Sequence, residues 1–132
     1  MKSRDSLIRL KRFQVDEKRR RVAQIEAMIA EFSRMAGDLD REIASEEQKT
    51  NNNDPTHFAY STYARAARGR RDNLKHSIDE LRTQLDEAKA RQEEAQEELA
   101  KAQSLEGREK AAERPVEVMS DAGYMGLRTA GV

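Results

Sequence analysis

The chain has 132 residues, 38% of them charged and 36% hydrophobic, with no Trp, no Cys, three Phe and three Tyr. That little apolar material excludes a globular core, the lack of Cys excludes disulfides, zinc ribbons and thiol nucleophiles, and a formal net charge of zero argues against a generic nucleic-acid surface. No eighteen apolar residues run together and no apolar signal core follows the charged start, so a cytoplasmic protein is expected. The abundance of Ala, Glu, Lys, Arg, Gln and Leu favours long helices that bury a narrow stripe.

The first element carries such a stripe. Ile8, Val15, Val22, Ile29, Ala36 and Ile43 recur every seven residues, and Ile25, Phe32 and Leu39 follow Val22, Ile29 and Ala36 by three, which is the a/d seam of a coiled coil. Lys11, Lys18 and Glu46 fill the remaining d positions and weaken the seam toward the N-terminus. The cluster Asn51-Asn52-Asn53-Asp54-Pro55 then stops the helix, with Asp54 reading as an N-cap and Pro55 as the first position of a second helix. That helix has its own columns, Tyr60, Ala67, Leu74, Leu81, Ala88, Ala95 and Ala102 beside Ala64, Ile78, Leu85 and Leu99, interrupted by Arg71, Gln92 and Glu106. The expected elements are a helix over about 3–48, a turn at 49–54 and a helix over about 55–110, with roughly 70 and 84 Å of length at about 1.5 Å per residue. The seven-residue pattern fails from Pro115, and 111–132 reads as a mobile C-terminal tail.

Charge selects the arrangement. Residues 1–21 carry net +6, 22–48 net −5, 49–75 net +4 and 76–113 net −5. A fold-back at the turn places residue i near ~104 − i and sets each basic block against an acidic one, whereas parallel pairing sets like against like. The expected fold is all-α, a long two-helix antiparallel coiled-coil hairpin spanning 1–110. Gly37 and Gly69 fall at similar height in it, read either as tolerated drift or as a shared flexible point.

The chemistry-bearing residues are sparse. His57 and His76 lack a Cys or second His at ligand spacing, the carboxylates of Glu93, Glu94, Glu97 and Glu98 form an ordinary solvated face, and phosphate loops and nucleophile elbows are absent. No catalytic residue, metal or cofactor is expected. Two surfaces exceed that background. Phe58, Tyr60 and Tyr63 cluster after the turn, where aromatic side chains either anchor a partner or cap the seam. Leu7, Leu10 and Phe13 lie off the seam beside Arg9 and Arg12, as a docking edge, a membrane-surface helix or a fraying end.

The strings Ser3-Arg4-Asp5-Ser6-Leu7-Ile8-Arg9-Leu10-Lys11-Arg12-Phe13-Gln14-Val15-Asp16-Glu17-Lys18-Arg19-Arg20-Arg21 and Asp54-Pro55-Thr56-His57-Phe58-Ala59-Tyr60-Ser61-Thr62-Tyr63-Ala64-Arg65-Ala66 resemble the FliJ family of flagellar type III export proteins, in its alphaproteobacterial branch. The resemblance covers about residues 1–110. It implies a stalk-like cytoplasmic adaptor that couples the flagellar export ATPase ring to the cytoplasmic domain of the export-gate membrane protein and assists export chaperones. Contact with the inner membrane at the flagellar base would then run through partners only, without nucleic acid. Two other readings stay open from the residues alone: a purely structural self-associating coiled coil, and a nucleic-acid-binding arm using Arg65, Arg68, Arg70, Arg71 and Lys75.

Overall fold

In the computed structural model, residues 2–122 are described, with side chains from 3 to 112. Two helices account for nearly all of them, α1 at Lys2–Thr50 and α2 at Thr62–Ala122, and no strand occurs among the described residues. The fold is all-α, with the helices antiparallel as expected. The chain divides into two compact units, one formed by residues up to 17 with those from 92 onward, the other by Lys18–Arg91.

In the second unit the two seams supply the core. Val22, Ile25, Leu81 and Ala88 are buried together, with Ile29, Phe32 and Leu85 packed against them. Ile25 is almost fully enclosed. Fully burying one such large aliphatic or aromatic side chain is worth about 1.5–3 kcal/mol, so this cluster outweighs the helix propensities of the residues around it. Nearer the loop, Ala64 and Ala67 are completely buried, small side chains that let the helices approach closely. Arg71 pairs with Asp40 at 3.0 Å and Arg68 with Glu47 at 3.6 Å, so the chain order of the partners runs in opposite senses.

In the first unit the same columns bury Ile8 and Val15 with Ala95 and Ala102. Two alanines in place of leucines leave less apolar area here. Lys11, at a d position, is half-buried and extends its Nζ to Glu98 Oε1 at 2.5 Å, and Arg4 reaches Glu109 at 2.8 Å. This hydrogen bond from Lys11 holds the Glu98 carboxyl below its ordinary range. Lys18, the next d residue, is exposed in the other unit.

The connection differs from the expected turn at 49–54. Asn51 adopts a left-handed backbone with φ 53°, its N–H reaches the Gln48 carbonyl at 3.2 Å, and the Asn52 N–H reaches the Glu47 carbonyl at 3.1 Å. That pair of bonds ends α1 as a Schellman cap. Asp54 does not start a helix. Its Oδ1 accepts from the Thr56 N–H at 3.0 Å and hydroxyl at 2.7 Å, closing a local turn. The N-cap of α2 is Ser61, whose Oγ accepts the Ala64 N–H at 3.1 Å while donating to Glu46 Oε1 at 3.0 Å. The second helix therefore starts at Thr62 rather than at 55, and cross-helix partners lie several residues further along α2 than ~104 − i. At its other end α2 continues past the expected limit near 110, through Pro115 to Ala122. The last ten residues of the expected tail lie outside the described residues.

Candidate partner-binding surfaces

The unit containing the N-terminal segment places Leu7, Leu10 and Phe13 on the outside of α1, with 42%, 50% and 54% of their surface exposed. Their spacing of three drifts around the helix, so they form a strip across its surface and avoid the seam. A shallow groove of about 170 Å³ is lined by Ser3, Arg4 and Leu7 of α1 and by Ala102 and Leu105 of α2. Leu105 is itself half exposed. It extends the strip onto α2 and was missing from the sequence-based set, although an off-seam leucine beside the seam residue Glu106 is a visible signal.

Arg9 and Arg12 are exposed along the same edge. Among the described residues no carboxylate lies within ion-pair distance of Arg9. The Glu106 carboxyl is held below its ordinary range first by a hydrogen bond from Lys110, with Arg12 contributing from further away. The surface is therefore an apolar strip bordered by Arg9, which no described carboxylate pairs, and by Arg12, which shares the Glu106 carboxylate with Lys110.

The loop surface of the other unit sorts the three aromatic residues. Phe58 is 94% exposed and stacks on the His57 ring, with centroids 4.7 Å apart. His57 is fixed by its own loop, since Nδ1 accepts the Ala59 N–H at 3.0 Å. Tyr63 is half exposed and its hydroxyl donates to Glu42, a bond that raises the phenol pKa. Tyr60 is only 4% exposed. Its hydroxyl donates to Glu47 Oε2 at 2.7 Å, and burial followed by that bond raises its pKa. Arg65 lies over the ring at 5.4 Å and donates to the Pro55 carbonyl at 3.0 Å. Tyr60 is thus an internal post that closes the seam, which corrects its inclusion among the exposed anchors.

Of the five cations that suggested a nucleic-acid arm, Arg65, Arg68 and Arg71 are committed to intramolecular partners, leaving Arg70 and Lys75. Near them, Met35, Leu39 and Leu74 line a groove of about 520 Å³ bordered by Asp38, Glu42, Arg70 and Asn73. It is open to solvent and brings no nucleophile and base together. Among the described residues no three His, Asp or Glu side chains are placed to hold a metal ion, and no helix is long and apolar enough to cross a membrane. No protein-family model, curated protein or solved structure matches the chain.

Proposed function

We propose that the chain is a stalk-like adaptor of flagellar protein export, binding an export ATPase through its N-terminal edge and the cytoplasmic domain of an export-gate membrane protein through the loop. In this reading it is a non-catalytic cytoplasmic protein, associated with the inner membrane through its partners, that also assists export chaperones. The observation that carries the proposal is the apolar strip of Leu7, Leu10 and Phe13, exposed off the seam of α1 and bordered by the exposed Arg9 and Arg12. Large apolar side chains that a helix pair leaves about half exposed outside its seam are the side chains a partner would bury. The two strings that resemble the FliJ family contain this strip and the exposed Phe58, and they supply the identity of the partners.

The test is the pair of substitutions Leu10→Asp and Phe13→Asp in the full chain, assayed for ATPase binding and stimulation. Both are expected to be lost while helicity stays unchanged. Phe58→Ala with Tyr63→Ala should in turn weaken gate binding and leave ATPase binding in place. Normal ATPase stimulation by the first double variant removes the assignment of this edge.

A further inference from the structure

Six exposed residues of α2, namely Asp72, Lys75, Asp79, Arg82, Asp86 and Lys89, follow one another at alternating spacings of three and four and change sign at every step. Alternating three-four spacing keeps side chains on one stripe of a helix, the geometry of a coiled-coil seam. Here that geometry is occupied by charge and lies outside the apolar seam of the hairpin.

Their own helix makes little use of them. Arg82 and Asp79 approach to 3.7 Å, Asp72 accepts from Arg71 at 3.0 Å, and Lys75, Asp86 and Lys89 have no charged partner among the described residues. The pairs four residues apart, Lys75 with Asp79 and Arg82 with Asp86, both place the cation before the anion, the weaker orientation. Beside the stripe, α1 contributes Ser33, Ala36, Gly37 and Asp40 to a groove that includes Lys75, Asp79 and Arg82.

We infer that this stripe is a docking face for a second copy of the chain, with the two α2 helices antiparallel across a two-fold axis between Asp79 and Arg82. Read in reverse, the pattern is its own complement. Asp72 meets Lys89 of the other copy, Lys75 meets Asp86, and Asp79 meets Arg82, and a two-fold axis makes each contact twice. A parallel, in-register pairing puts every charge against its own kind, so the pattern also excludes that alternative. Exposed ion pairs are individually weak, and the face therefore forms a reversible, salt-sensitive dimer. The inference is independent of the adaptor reading, because neither the N-terminal strip nor Phe58 takes part.

Two full-length variants test it by sedimentation over a concentration series, one with Lys75→Glu, Arg82→Glu and Lys89→Glu, the other with Asp72→Lys, Asp79→Lys and Asp86→Lys. Wild type is expected to self-associate at about 0.01 M salt and to lose this at about 1 M, as the screening length falls from about 30 to about 3 Å. Each variant alone should remain monomeric, and an equimolar mixture should associate. Because oppositely charged chains attract without any defined geometry, single cysteines in the otherwise Cys-free chain fix the register. Asp79→Cys chains should cross-link to Arg82→Cys chains and not to one another. Wild type that stays monomeric throughout, reversed variants that associate as wild type does, or cross-linking without preference for the 79–82 pair each overturn the inference.

Discussion

Arg71 shows how a single residue can occupy a seam without contributing to it as a hydrophobe. Its guanidinium leaves the seam position to reach Asp40 and Asp72, both at 3.0 Å, and those carboxylates raise its pKa further above the ordinary arginine value. Both acceptors are about half exposed or more, so removing the cation leaves no buried charge behind. Arg71→Leu exchanges two exposed pairs, worth roughly 0.2–1 kcal/mol each, for apolar burial of about 1.5–3 kcal/mol when complete. A net stabilisation of about 1 kcal/mol is expected and can be read from the urea midpoint. Asp54 makes the opposite case, a charge the loop does use. Its hydrogen bonds from Thr56 lower the carboxyl pKa, so its contribution to stability is complete above the ordinary carboxylate range and is lost as pH falls through the lowered folded value. Asp54→Ala should therefore be less stable than wild type at neutral pH, with the difference shrinking toward zero in acid unfolding series.

At the scale of elements, the loop carries the main difference between expectation and structure. Ser61→Ala removes the acceptor of the Ala64 N–H and should cost about 1 kcal/mol, whereas a cap at Asp54 would have made this substitution neutral. Thermal unfolding of Ser61→Ala reads this directly: a midpoint unchanged from wild type would place the cap elsewhere. Most of the seam was legible from periodicity, since a repeat of seven with intervals of three states which residues face inward whatever lies between the helices. The start of α2 was not legible. Asp54-Pro55 is a sound local signal, but Tyr60 to Glu47 and Ser61 to Glu46 are contacts across the loop, and they hold the chain out of helix until Thr62. Leu105 was visible as an off-seam leucine, but its place beside Leu7 was not, because that depends on a register the loop length sets. Leu7, Leu10 and Phe13 were legible as exposed, being apolar in a frame whose inward positions were already assigned.

For the whole molecule, blocks of opposite charge and two complementary seams specify one pairing of the helices. Asp40 with Arg71 and Lys11 with Glu98 are such pairings between blocks, one in each unit. Many of the stabilising contacts run directly between α1 and α2, so the pairing of the two helices does not depend on the loop being continuous. Its tether is best expressed as an effective concentration, on the order of millimolar for short flexible connections. Cutting the chain once beside Phe58, the most exposed aromatic residue among the described ones, should leave two fragments that remain paired and helical. Unlike the intact chain, that nicked pair should melt at a temperature that rises with protein concentration, because its unfolding has become a dissociation. The loop thus converts a second-order encounter into a first-order one, and dilution is the variable that reveals it.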